Sequence, residues 1–515
     1  MSIIKSGIII GFFTFLSRIF GFIRDIFITK ELGASIYSDA FNIAFRLPNL
    51  FRRLFAEGAF NSAFVPIFTN KFKNDKDQAL NFAGDAFTML TVALVIITII
   101  CEIFIEELVY IIAPGFALND INSLELTVAL SRIALPYLLF ISISSLFSSM
   151  LNSTHRFMIA SIIPILLNVA MIISLLFFGD ITKSKAHALI WGVFFGGILQ
   201  VFVAFIGVRR AGLMPKVSKF QLSDDLKKLL KNMVPGIIGG GITQINLIVS
   251  QALASFLPVG GLSILAYSDR VCQLPLAVIG TAIGTVILPT LSRQLHAKEY
   301  VLANETQNRA VEAGFLLAMP AMIALVIMAK PIVFALFERG AFSHQDTILT
   351  ANCLIAFSLG LIGYIMIKIF TPVFFAIYDT KTPVKISLIS IIINFVLTII
   401  LMELYGAIGI AYATSVSSVV NAYILYICLK RKGLYKLDNK LKVAFVKILV
   451  SCAIMAVATS IFRYFFSPYL FHSNNLLRLI SLLGLVFVGI VIYFAMIHYL
   501  KVLTLKEVRF MLKRN

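Results

Sequence analysis

Eight basic side chains stand in stretches of this chain that are otherwise apolar: Arg18, Arg24, Arg46, Arg52, Arg53, Arg132, Arg270 and Lys368. At the centre of a bilayer each such group costs about 2.5–3.5 kcal/mol or more. The nearby acidic residues are Asp25, Asp39, Glu57 and Asp269. Arginine outnumbers carboxylate, so mutual neutralisation cannot dispose of all the charge. The chemistry that suits such arginines is anion binding, because a guanidinium donates two parallel hydrogen bonds to a phosphate and keeps its proton. Arg18 and Arg24 are offset on a helix by about 600°, and Gly21 between them allows close backbone approach. Snorkelling or interhelical salt bridges explain Arg46, Arg53 and Arg132, which lie near span ends or beside another charge. Arg18, Arg24, Arg52 and Arg270 fit a cationic cavity better.

The elements that must position these residues are membrane helices. Of 515 residues, 59% are apolar and 13% charged, whereas a soluble chain carries about a quarter charged residues. Composition therefore excludes a soluble enzyme, a DNA-binding domain and a peripheral membrane protein. The formal charge of +19 reads as cytoplasmic-loop Lys and Arg rather than as affinity for nucleic acid. The five cysteines show no metal-ligand spacing and read as packing residues. No cleavable signal is expected, because the first apolar segment carries Arg18 and Arg24 and lacks a small-residue cleavage site.

Stretches of about 20 apolar residues fall near 7–29, 35–56, 80–105, 127–150, 157–178, 187–208, 233–256, 261–290, 310–336, 348–375, 384–403, 406–429, 444–466 and 476–500. With the N-terminus inside, the inner segments hold 29 Lys and Arg and the outer segments seven. That asymmetry supports fourteen spans with both termini cytoplasmic.

The chain also repeats itself. Arg209-Arg210-Ala211-Gly212-Leu213 returns as Lys430-Arg431-Lys432-Gly433-Leu434, and Thr154, Ser161 and Asn168 return as Thr380, Ser387 and Asn394. Ala59, Ala63 and Pro66 fall on Ala282, Val286 and Pro289. The period is close to six helices, an even number, so the copies are parallel. The expected organisation is an N-terminal six-helix lobe (1–220), a C-terminal six-helix lobe (221–434) and two additional helices (435–515). Two such lobes flanking a V-shaped central cavity form an alternating-access transporter.

The runs Ser17-Arg18-Ile19-Phe20-Gly21-Phe22-Ile23-Arg24-Asp25 and Phe45-Arg46-Leu47-Pro48-Asn49-Leu50-Phe51-Arg52-Arg53-Leu54-Phe55-Ala56-Glu57-Gly58-Ala59-Phe60 resemble signatures of the bacterial MurJ (MviN) lipid II flippases. Asp39-Ala40-Phe41, Ala63-Phe64-Val65-Pro66, Ala134-Leu135-Pro136-Tyr137, Tyr267-Ser268-Asp269-Arg270, Leu288-Pro289 and Lys381-Thr382-Pro383-Val384-Lys385 fit as well. The resemblance runs to about residue 434, and the last two helices agree in number and place only. It implies the multidrug/oligosaccharidyl-lipid/polysaccharide exporter fold, with the two extra helices forming a groove for the lipid tail. It also implies movement of the undecaprenyl-pyrophosphate-linked peptidoglycan precursor, lipid II, to the outer leaflet of the bacterial inner membrane.

On that resemblance the functional residues are Arg18, Arg24, Asp39, Arg52 and Arg270, with Asn49 and Ser263 at cavity positions. Gln273 stands where some members have glutamate. The expected roles are pyrophosphate binding by Arg24, Arg52 and Arg270, a wider positive field from Arg18, and Asp39 orienting an arginine or competing for it. Asp25, Glu57 and Asp269 are expected at gates or salt bridges. The expected partners are lipid II, membrane lipids and cell-wall synthesis proteins, with no nucleic acid, no metal and no cofactor. A Walker-type loop is missing from the sequence, so an ion, potential or substrate gradient is expected to drive the cycle. A cation-coupled multidrug or polysaccharide-lipid exporter would favour buried carboxylates. A membrane-bound glycosyl- or phosphotransferase would need an acidic pair on a cytoplasmic loop, and Asp224-Asp225 reads instead as the start of a helix. A channel or a scaffold is the remaining alternative.

Overall fold

A computed structural model of the chain describes residues 3–53, 60–216, 223–472 and 474–502, which are helical with no strand among them. In the first half the helices are α1 (Ile3–Leu32), α2 (Ile36–Phe51), α3 (Asn61–Asn74), α4 (Lys76–Ile103), α5 (Ile105–Ile112), α6 (Pro114–Asn119), α7 (Ile121–Ala134), α8 (Tyr137–Ser153), α9 (Phe157–Phe178), α10 (Lys185–Arg210) and α11 (Asp224–Ala254). In the second half they are α12 (Gly261–His296), α13 (Tyr300–Phe337), α14 (His344–Leu359), α15 (Leu361–Ala376), α16 (Lys381–Tyr405), α17 (Ala407–Arg431), α18 (Asn439–Leu470) and α19 (Asn475–Tyr499). Eleven helical segments among the described residues are long and apolar enough to cross a membrane. The protein is a multi-span, all-helical membrane protein. α2, with only 16 residues, is not among the eleven.

The chain packs as two compact units. The first holds Met1–Ser263 with Arg339–Phe342, and the second Ile264–Glu338 with Ser343–Asn515. The repeat boundary read from the sequence at 220/221 does not coincide with this division, because α11 packs on α3, α4, α5 and α6. In the first unit, buried side chains of α3, α4, α8, α10 and α11 share a core. Phe60, Phe64 and Phe68 stack in file at one-turn spacing, and Phe82 stacks on Phe64. In the second, α12, α13, α15 and α17 share another.

One local geometry occurs at His155, Gly212, Tyr378 and Gly433. His155 and Tyr378 both adopt positive φ, 60° and 59°, and the next amide bonds back five residues, from Arg156 to the Leu151 carbonyl and from Asp379 to that of Phe374. Gly212 and Gly433 repeat the device, with Leu213 bonding to Val208 and Leu434 to Leu429. This is a helix-terminating motif that satisfies the last carbonyls, and it needs a residue tolerating the left-handed region. The break between α7 and α8 falls at Leu135 and Pro136, and that between α14 and α15 at Gly360.

The two last helices are not a separate body. α18 and α19 pack on each other and on α13, burying Ile448, Cys452, Met455, Tyr493 and Ile497 against Leu316 and Met319. Pro320 and Pro331 lie inside α13, and a helical proline leaves the carbonyl four residues earlier without its donor. Those carbonyls belong to Leu316 and Ile327. Tyr493 Oη donates to Leu316 at 2.7 Å, and Arg463 Nη1 to Ile327 at 2.5 Å. Arg463 and Arg478 therefore serve packing. Arg478 donates to the Phe334 and Glu338 carbonyls at the end of α13 and lies 4.1 Å above the Phe334 ring.

Candidate functional site: arginines and their partners on the membrane helices

Arg24 is buried, at 8% exposure, in the C-terminal third of α1. A bare guanidinium there would be prohibitive, and three hydrogen bonds answer it. Its Nη2 and Nε reach Asp25 Oδ1 at 2.6 and 3.1 Å, and Nη1 donates to Asn168 Oδ1 on α9 at 2.9 Å. Asn168 Nδ2 in turn donates to the Ser17 carbonyl at 3.4 Å. Gly21 faces this same asparagine rather than a second arginine. A Cβ at Gly21 would lie in ordinary contact, 3.6 Å from Asn168 Nδ2, so close approach does not demand glycine there. Arg18 is exposed and has no side-chain partner among the described residues.

α2 carries its polar residues Asp39, Asn42, Arg46 and Asn49 at i, i+3, i+7 and i+10, one stripe of a helix. The opposite side buries Ala40, Phe41, Ile43, Ala44 and Leu47. Pro48 removes one backbone donor near the end of α2, and residues 52–53 take π-helical geometry. Arg52 Nε donates to Asn49 Oδ1 at 3.1 Å, and Asn49 Nδ2 donates to the Phe45 carbonyl at 2.7 Å. Two expected site residues are thus linked, with the asparagine aiming the arginine. Arg46 Nη1 donates to Gln251 Oε1 on α11 at 2.6 Å. Glu57, expected at a gate or salt bridge, lies outside the described residues.

Asp39 departs from its expected role. It meets no arginine in its recorded contacts; its carboxylate accepts the Gly260 and Ser263 amides at 2.6 and 2.8 Å and the Ser263 hydroxyl at 2.5 Å. Those amides open α12, where unpaired N–H groups and the helix dipole favour an anion. Asn42 Nδ2 adds a bond to the same hydroxyl at 3.1 Å. Gly260 makes this approach with φ of 87°, and a Cβ there would stand 2.5 Å from the Ala34 carbonyl oxygen. Ser263, expected at a cavity position, is fully buried in this bonding.

In the second unit, Arg270 is exposed on α12 and Asp269 half-buried. Gln273 donates to Asp269 one turn away, so the amide that replaces glutamate here serves as a partner for a carboxylate. Asn42, Asn168 and Gln251 were not singled out as site residues from the sequence. The available signal was an amide in an apolar helix and, for Asn42 alone, a charge one turn away, Asp39 and Arg46. No cluster of metal-ligating side chains occurs among the described residues. Asp224 and Asp225 form the first turn of α11, with Asp225 paired to Lys71 at 2.7 Å.

Residues 28–481 match the family model described as lipid II flippase MurJ. A probable lipid II flippase MurJ of Rickettsia prowazekii is 41% identical over 503 residues, 98% of each chain. The lipid II flippase MurJ of Burkholderia cenocepacia is 35% identical over 448 residues, 85% of each. A solved structure of lipid II flippase MurJ in an inward closed conformation superposes with a TM-score of 0.77 at 27% identity, covering 96% of this chain and 98% of that one. An inward-facing multidrug transporter of the MATE family shares the fold, with a TM-score of 0.67 at 13% identity over 81% of this chain and 94% of that one. Matched over nearly its whole length, this chain belongs to the lipid II flippase MurJ family.

Proposed function

We propose that this protein moves lipid II from the inner to the outer leaflet of the cytoplasmic membrane by alternating access. The observation that carries the reading is the full-length match to relatives named as flippases. The membrane arginines supply chemistry that suits the pyrophosphate. In this proposal Arg24, Arg52 and Arg270 receive it and Arg18 widens the positive field. Asp25 and Asn168 hold Arg24 ready, Asn49 aims Arg52, and Asp269 stands beside Arg270. Asp39 and Ser263 close the start of α12 in the state described.

The proposed architecture is fourteen spans in two parallel six-helix repeats with a central substrate path, both termini cytoplasmic. The recurring turns at His155 and Tyr378, and at Gly212 and Gly433, support the repeat. α18 and α19 carry the polyprenyl tail, which cannot leave the membrane because each buried CH₂ is worth about 0.8 kcal/mol. Cycling needs no bound cofactor in this reading, and cell-wall synthesis proteins are proposed partners.

Complementation of flippase-depleted bacteria, followed by a leaflet-accessibility assay for lipid II, tests the reading. Well-expressed protein should restore externalisation, and failure to do so removes the proposal.

A further inference from the structure

Lys368 is a basic residue of the apolar spans to which the arginine chemistry assigns no task. It lies on α15, in the most buried of the eleven apolar segments. Between Leu361 and Phe374 it is the single exposed residue. A lipid-facing helix shows a row of exposed apolar side chains, as α16 does with Leu388, Ile392 and Val396. This part of α15 has none, so the opening at Lys368 is not a lipid face.

The backbone agrees. Pro372 is inside α15, which leaves the Lys368 carbonyl without its helical donor. Such an acceptor is costly in hydrocarbon and readily satisfied where water enters. The lysine has neither an ion pair nor a hydrogen-bond partner among the described residues. Its stem crosses α12 at Gly280, where a Cβ would stand 2.6 Å from Cδ and 3.3 Å from Nζ. The missing side chain makes the notch through which the lysine passes.

Gly280 is on the same stripe of α12 as Arg270 and Gln273, at i+10 and i+3 from the arginine. At 1.5 Å per residue, Gly280 is about 15 Å along the helix from Arg270. That exceeds the length of a diphosphate, so Lys368 crosses α12 at a position of its own, about three turns from Arg270.

We propose that Lys368 is a substrate-contacting residue: its ammonium receives the phosphate oxygens of the polyprenyl pyrophosphate at a second station along the α12 stripe, reached before or after Arg270. The inference rests on the flippase reading and names one more residue of its path. An ammonium suits a transient station, being a point charge with three rotatable donors and no fixed fork.

The test uses the purified full chain with undecaprenyl pyrophosphate and neutral undecaprenol as probes, and lipid II in vesicles for translocation. Lys368→Met should weaken pyrophosphate binding about tenfold and slow translocation, leaving undecaprenol binding and the thermal midpoint unchanged. Lys368→Arg should recover most of the loss. Wild-type binding and transport by Lys368→Met overturns the station. So does an equal loss for both probes, or a lowered midpoint that Lys368→Arg does not restore, since either marks a packing role. Wild-type protein that shows the pyrophosphate contrast yet translocates no lipid II sinks the flippase reading and not the lysine site.

Discussion

Arg463 on α18 donates to the Ile327 carbonyl at 2.5 Å, the oxygen that Pro331 strips of its helical donor. One residue's missing N–H is thus supplied by a side chain more than a hundred residues away, and Tyr493 does the same for Leu316 beneath Pro320. Two of the bonds that hold the terminal helix pair to α13 answer defects that its prolines create.

Arg463→Ala should therefore cost about 1–3 kcal/mol of stability, because it orphans a part-buried acceptor. In a Pro331→Ala background the same change should cost less, since alanine returns the N–H. Thermal unfolding in detergent across this double-mutant cycle measures the coupling, and equal costs in both backgrounds would show that Arg463 does not answer the proline.

Asp39→Asn should destabilise the protein by about 1–3 kcal/mol. An amide places donors against the Gly260 and Ser263 N–H groups and loses the charge that a helix N-terminus favours. Asp39→Glu keeps the charge but misplaces it and should recover only part. Thermal midpoints compared with the Ser263→Ala variant check this, and an unshifted Asp39→Asn midpoint would deny the anchor.

Asn168→Asp places a second carboxylate on Arg24, where Nη1 now meets a neutral amide. The arginine would be neutralised from two sides, so affinity for undecaprenyl pyrophosphate should fall about tenfold, or about 1.4 kcal/mol. Asn168→Leu instead leaves a buried donor unmet and should chiefly lower stability. Binding and unfolding measured on both variants separate competition for the arginine from loss of its support.

Asp379 sits in the segment between α15 and α16. Lys432 donates to it at 2.5 Å, and the Thr382 amide and hydroxyl at 3.0 and 2.7 Å. The ammonium first, and then the threonine, hold its carboxyl down at about 2, against an ordinary 3.8. The folded-state value is the lower one, so this stabilisation is present above about pH 4 and is lost as pH falls towards 2. Asp379→Asn should flatten the stability profile over that window, as read by unfolding in detergent. An unchanged slope would remove Asp379 from it.

Hydropathy made the helices and the membrane setting legible from the sequence, because both depend on residues close in the chain. The arginines were legible too, since a cation in an apolar span is conspicuous whatever surrounds it. Their partners were not. Asp25 adjoins Arg24 in sequence, yet Asn168 is 144 residues away, and Asp39 finds the start of α12 at a separation of 221 to 224 residues. Carboxylates and amides accept from any donor brought near, so their composition does not distinguish an arginine partner from a helix N-terminus. The division into packed units at Ser263 also follows from where α11 packs, on α3, α4, α5 and α6. Tertiary packing alone decided which donor met which acceptor, because that pairing depends on proximity between segments the chain keeps far apart.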